Sequence, residues 1–311
     1  MSNVTLLPDH MLGEVIARTH DHDLLAFLSS CKTFQRVLAL DTAREVKRPP
    51  GWRIVRSLAL LDWALGNEWA WPTKNEKGEE DIFAACNLAA GGGCIAVMQR
   101  ARADGCDWNE SACARAAAGG QLEMLKWLRA NGCPWNERTC TWAARGQLEC
   151  LKWARTNGCP WNERACSNAA RFGQLTCLKW ARSNDCPWNE ETCTLAARGG
   201  QLECLKWAHD NGCPWSESTC SSAAGSGQLE CLKWARANGC PWNERTCTMA
   251  AVGGQLECLK WARANGCAWD EETCTMAAMQ GQLECLKWAR ANDCPWDEST
   301  CSKAAREHWC G

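Results

Sequence analysis

From Cys106 onward, apolar and polar positions recur in a fixed order. One cysteine column falls at Cys106, Cys133, Cys159, Cys186, Cys213, Cys240, Cys267 and Cys294, with neighbours 27 residues apart except for one interval of 26. Such a period predicts stacked supersecondary units rather than a globular core of mixed elements. Each unit reads as two short helices. The first, helix A, opens after Asn, Ser or Asp (Asn109, Asn136, Asn162, Asn189, Ser216, Asn243, Asp270, Asp297) followed by Glu, an N-cap residue with an anion at the positive end of the helix dipole. It runs through a second cysteine to an Ala-Ala pair and stops at Gly, as in Ala143, Ala144 and Gly146.

The second, helix B, such as Gln147 to Thr156, ends at Asn157-Gly158, with Asp185 and Asp293 replacing that Gly in two copies. Asp also tolerates the left-handed backbone such a stop requires. Leu148, Leu151 and Ala154 form one ridge, Cys150 and Trp153 the next, and Glu149, Lys152 and Arg155 a polar third. The polar ridge predicts a solvated face on which Glu and Lys pair at i,i+3. One helix pair cannot bury two apolar ridges alone, whereas a row of pairs can.

The repeat accounts for an odd composition. The chain has 311 residues, 26 Cys, 21 Trp and no Tyr. The second and third cysteine columns (Cys113 to Cys301, and Cys150 to Cys285 with Met124 in the first slot) follow the same period, as do Trp108 to Trp296 and Trp127 to Trp288. Small buried thiols and indoles packed between repeats are the expectation, because exposing so many indoles would leave apolar patches on the surface. Two other uses of these residues stay open: zinc or redox chemistry at the thiols, and indole stacking on bases or sugars. Equivalent residues of neighbouring repeats lie about one helix-packing distance apart, roughly 8–10 Å, too far for a disulfide.

Net charge is −2, from 34 Lys+Arg against 36 Asp+Glu, which argues against a strongly basic nucleic-acid binder. The longest apolar stretch, residues 57–65, is broken by Asp62, and Met1 to Gly13 lacks a basic, apolar leader pattern. The expectation is an intracellular, soluble monomer with reduced thiols, no membrane or nucleic-acid partner, no cofactor, no metal and no catalytic residue.

The unit resembles a shortened ankyrin repeat. The segment from Arg245 to Trp261, Arg-Thr-Cys-Thr-Met-Ala-Ala-Val-Gly-Gly-Gln-Leu-Glu-Cys-Leu-Lys-Trp, is similar to that family's Thr-Pro-Leu-His-Leu-Ala-Ala followed by Gly-His-Leu-Glu-Val-Val-Lys-Leu. The family unit has about 33 residues, and the shortfall lies in its hairpin finger, here reduced to Trp-Asn-Glu-Arg-Thr. Residues 106–311 carry the resemblance and residues 46–105 hold two divergent entry repeats, with a charged loop at 72–81. The implied fold is all-α, an α-solenoid of helix-turn-helix repeats. Residues 1–45 resemble an F-box: Leu7-Pro8, an apolar stripe through Leu12 and Ile16, Asp23-Leu24-Leu25, then Cys31-Lys32 and Phe34. That resemblance implies three helices in which Leu7, Pro8, Leu12, Ile16, Leu24 and Leu25 dock on the linker subunit of a cullin-type ubiquitin ligase.

Positions that differ between copies are not dictated by the scaffold. They are Arg138, Arg145, Arg164, Arg171, Phe172, Arg198, Arg245, Val252, Met279 and Gln280, which the ankyrin resemblance places on the concave recognition surface. The function expected is an interaction adaptor that recruits a target protein to the ligase. The alternatives are a plain scaffold whose N-terminal helices cap the stack, and a thiol-based metal or redox binder.

Overall fold

A computed structural model describes residues 83–296. The F-box-like segment, the first entry repeat, the 72–81 loop and the last helix A, at 297–311, lie outside the described residues. The chain divides into two compact units, one ending at Cys133 and the other starting at Pro134.

The described part of the first unit holds α1 (Ala84–Gly92), α2 (Ile95–Ala103), α3 (Glu110–Ala118) and α4 (Leu122–Ala130). The second holds six A/B pairs: α5 (Glu137–Ala143) and α6 (Leu148–Thr156), α7 (Glu163–Arg171) and α8 (Leu175–Ser183), α9 (Glu190–Arg198) and α10 (Leu202–Asp210), α11 (Glu217–Gly225) and α12 (Leu229–Ala237), α13 (Glu244–Val252) and α14 (Leu256–Ala264), α15 (Glu271–Met279) and α16 (Leu283–Ala291). No strand occurs among the described residues. Within each unit, A helices pack side by side and each B helix leans on its own A helix. These helix-turn-helix pairs form the all-α, ankyrin-like solenoid that the sequence predicts.

The punctuation works largely as read. Asn109, Asn136, Asn162, Asn189 and Asn243 take an extended N-cap backbone, and each side chain accepts a hydrogen bond from the amide two residues on. Ser216 and Asp270 keep the backbone shape but make no side-chain cap, a departure from the expectation that every copy caps alike. From α4 onward each B helix starts one residue later than the Gln147-type reading, with that Gln as its N-cap residue. At its end Asn157 Nδ2 donates to the Trp153 carbonyl (2.8 Å), and Gly158 follows at φ 84°. Asp185 (φ 62°) and Asp293 (φ 65°) hold the same left-handed position without glycine's freedom.

The core is built from small side chains. The Ala pairs of the A helices, such as Ala169 and Ala170, are fully buried, as are Leu151, Leu178, Leu205, Leu232 and Leu259 of the B helices. Small residues let the A helices approach closely. A Cβ on Gly199 would stand 2.2 Å from the Arg171 carbonyl oxygen of the preceding repeat.

The 26-residue interval has a local structure. Helix α5 spans 7 residues where the other A helices span 9, and the Gln147 amide bonds back to Ala143 O, four residues away. In a full-length copy Gln174 reaches Ala169 O, five residues back. Gly146 absorbs the missing residue at φ 138°, against 72° for Gly173.

Candidate interaction surface

Along each A helix, positions 138 and 145 and their equivalents are two turns apart, so they lie on one face with the position between them. At the shortened turn this face is aromatic and cationic. The Arg138 and Arg145 guanidiniums lie 5.6 and 5.3 Å from the Trp142 ring centroid. Arg145 also stands 4.9 Å from the Phe172 ring of the next repeat, which Arg171 approaches to 5.6 Å. Arg145 Nε donates to Asn168 Oδ1 (3.3 Å). Burial first, and the Arg171 charge second, lower the Arg145 pKa, so two like charges crowd here. Phe172 is 41% exposed.

Among the described residues, Arg138, Arg145, Arg164, Arg171 and Arg198 make no ion pair, and all five are exposed. The lysines of the B helices behave otherwise. Lys126, Lys152, Lys206, Lys233, Lys260 and Lys287 each pair with a Glu three residues earlier at 2.8–3.1 Å, as the polar ridge predicts. Guanidiniums without a carboxylate partner among the described residues therefore lie on this A-helix face and also at the B-helix ends, at Arg155, Arg182, Arg236 and Arg263.

Of the remaining sequence-derived positions, Arg245 lies in the first turn of α13, Val252 ends α13, and Met279 and Gln280 end α15. They share the face's register but lie beyond the arginine cluster. Sequence reasoning missed the middle position of the face: Trp142, Asn168, Leu195, Met249 and Met276, all partly buried. Its signal was available, because this slot varies widely from copy to copy while its neighbours stay small, Ala, Ser or Thr before it and Ala after it. The ligase-linker residues Leu7, Pro8, Leu12, Ile16, Leu24 and Leu25 lie outside the described residues.

The indoles correct an expectation. They are not interior: Trp108, Trp127, Trp135, Trp153 and their equivalents are partly buried, and Trp296 is 45% exposed. The first Trp of a unit meets the helix B Trp edge-on, as in Trp135 with Trp153, centroids 5.9 Å apart. The Arg ending the preceding helix B stacks over it, with Arg155 4.5 Å from Trp161 and Arg236 4.5 Å from Trp242. His209 replaces that Arg once and stacks on Trp215 at 4.0 Å. The indoles form an edge-packed ladder flanking the core, and the Arg column read as merely solvated covers it.

Among the described residues the thiols of all three columns are buried, apart from Cys106, which is partly exposed. Burial is the first cause that pushes Cys150, Cys204, Cys231 and Cys258 up to about 11. The first two columns come together in an arrangement the sequence reading did not foresee. Each helix A thiol hydrogen-bonds the loop thiol 19 or 20 residues on: Cys113 with Cys133, Cys140 with Cys159, Cys166 with Cys186, Cys193 with Cys213, Cys220 with Cys240, Cys247 with Cys267, and Cys274 with Cys294. The 8–10 Å argument compared equivalent cysteines, and it does not apply to cysteines of different columns.

No family model and no curated protein matches the chain. Solved structures similar to it include the crystal structure of the human ASB11 ankyrin repeat domain, 17% identical, covering 59% of this chain and 84% of that one, with a TM-score of 0.39. The repeated helix pairs fit ankyrin repeats on their own geometry. Among the described residues no helix is long and apolar enough to cross a membrane.

Proposed function

We propose that the protein is a binding scaffold whose A-helix face captures an extended segment of another protein. That segment is rich in carboxylates where it meets Arg138 to Arg198 and apolar where it meets Val252 and Met279. The observation that carries this reading is the exposed guanidinium group of the second unit, stacked on Trp142 and Phe172 and lacking carboxylate partners among the described residues. A guanidinium held over a ring keeps terminal N–H groups for a carboxylate, even where, as at Arg145, Nε is already bonded to Asn168.

The test is binding of labelled peptides that join an acidic block to an apolar block, read by fluorescence anisotropy. Reversing Arg145, Arg171 and Arg198 to Glu should weaken capture at least about tenfold, and salt should weaken wild-type binding. Reversing Lys206 and Lys233 on the B helices should change little. Equal loss in both variants, or none in either, would overturn the proposal.

The finer reading, recruitment of that target to a cullin-type ubiquitin ligase, rests on the F-box resemblance of Leu7, Pro8, Leu12, Ile16, Leu24 and Leu25. A pull-down of the linker subunit by the full chain tests it. Capture that is lost in a Leu12→Ala, Leu24→Ala, Leu25→Ala variant supports the adaptor, and absence of capture leaves the scaffold reading.

A further inference from the structure

The facing thiols have surroundings that a purely space-filling role does not require. Each loop cysteine donates its S–H to the N-cap carbonyl of the preceding helix A, for instance Cys133 to Asn109 O (3.4 Å), Cys213 to Asn189 O (3.3 Å) and Cys267 to Asn243 O (3.2 Å). The helix cysteine lies four residues past that N-cap residue, one turn along, so its sulfur arrives beside the loop sulfur. Two further groups converge. The buried Thr192 and Thr246 hydroxyls have no oxygen or nitrogen partner, and each reaches the adjacent loop thiol. On the other side the last-turn Arg of helix B donates to the loop cysteine's own carbonyl, as Arg182 does to Cys186 O (3.1 Å) and Arg263 to Cys267 O (3.2 Å).

The S–H bond to a carbonyl favours the neutral thiol, whereas the facing thiol, the Thr hydroxyl and the nearby guanidinium charge favour the thiolate. The hydrogen bond from the helix thiol, chiefly, holds Cys133, Cys213, Cys240 and Cys267 below the ordinary thiol value. The same hydrogen bond, followed by burial, pushes Cys140, Cys166, Cys193, Cys220 and Cys247 up. At the last pair the order is reversed, with Cys274 lowered and Cys294 raised. The column-three thiols have no facing thiol of this kind.

We propose that each facing pair is a site of oxidative cross-linking by hydroperoxides, the loop cysteine serving as the attacked thiol and the helix cysteine as the resolving thiol, with the roles exchanged at Cys274 and Cys294, so that a disulfide ties consecutive repeats together. The loop thiolate attacks a peroxide oxygen; the O–O bond breaks, an S–OH group forms and hydroxide leaves. The helix thiol gives its proton to that hydroxide and its sulfur attacks the S–OH sulfur, forming S–S and expelling a second hydroxide. That hydroxide is protonated by the proton the loop thiol first released. Two thiols lose two electrons in all, and hydrogen peroxide becomes two waters.

The experiment treats the reduced, folded full chain with hydrogen peroxide and maps cross-links by mass spectrometry without reduction. Each closed pair loses two hydrogens, and the expected links join cysteines 19 or 20 residues apart, while Cys150, Cys204, Cys231 and Cys258 stay reduced. Links between Cys186 and Cys193 within one repeat, sulfinic acid without cross-links, or column-three oxidation at the same rate would overturn the proposal. In Cys193→Ala, Cys213 loses its resolving thiol and should accumulate as a sulfenic acid that dimedone traps, at least about tenfold over wild type. An unlabelled Cys213 in the folded variant, with the other pairs closed, contradicts the assigned roles. The wild-type map decides the proposal even where that variant fails to fold.

Discussion

At the scale of single residues, glycine positions that look alike in sequence separate into two physical classes. Gly212 is at φ 79° with open space around its Cβ position, whereas Gly199 is at φ −79° with the Arg171 carbonyl of the preceding helix A in the way. Gly212→Ala should therefore cost about 1–2 kcal/mol through backbone conformation alone. Gly199→Ala should cost about 1–3 kcal/mol through forced separation of neighbouring repeats. Urea titration measures both, and only Gly199→Ala should also loosen the amide protection of α7 and α9. Asp185 gives the converse case: Asp185→Gly relieves a left-handed non-glycine residue and should stabilise by about 0.5–1 kcal/mol. The caps and stops were legible because Asn, Asp and Gly have backbone preferences of their own. The failure of Ser216 and Asp270 to cap was not, since residue type and spacing do not set the side-chain torsion that capping needs. Trp142 was missed for another reason. Variation at its slot is visible in the sequence, but only the fold sets that slot between Arg138 and Arg145 on one face.

At the scale of helices, periodicity gave each element its faces, but it could not say which column of one repeat meets which column of the next. That register depends on the stagger between an A helix and the following loop, which explains how the thiol pairs escaped notice and how the indoles came out as a half-covered ladder. The column-three thiols yield a pH prediction. Unfolded thiols ionise near 9.0, whereas Cys150, Cys204, Cys231 and Cys258 hold their protons to about 11. Their contribution is complete below pH 9, and stability falls as pH rises through the 9–11 window because the unfolded chain releases these protons first. Urea midpoints at half-unit steps should be flat to pH 9 and decline above it, with no tyrosine to titrate in the same range. Replacing all four cysteines with Ala should make that decline shallower, leaving the part owed to the other raised thiols. The indole ladder is tested by a double-mutant cycle on Trp135 and Trp153, with an expected coupling of about 0.5–1.5 kcal/mol.

At the scale of the whole chain, the near-identical units make a modular prediction. Excising residues 187–213 removes α9 and α10 and brings Cys186 to the position Cys213 held, ahead of Pro214. The shortened protein should fold cooperatively with a lower denaturation midpoint, as nearest-neighbour stacking requires. Loss of helical circular dichroism would contradict it. The same near-identity has a kinetic side. Helices α12, α14 and α16 carry one nonapeptide, Leu-Glu-Cys-Leu-Lys-Trp-Ala-Arg-Ala, so each strand of code fits its neighbour's berth as well as its own. A collapsing chain can seat a segment one berth out of place and must back out to correct it. Refolding should accordingly show a slow, trapped population, and giving each of the three segments a distinct core sequence should abolish it.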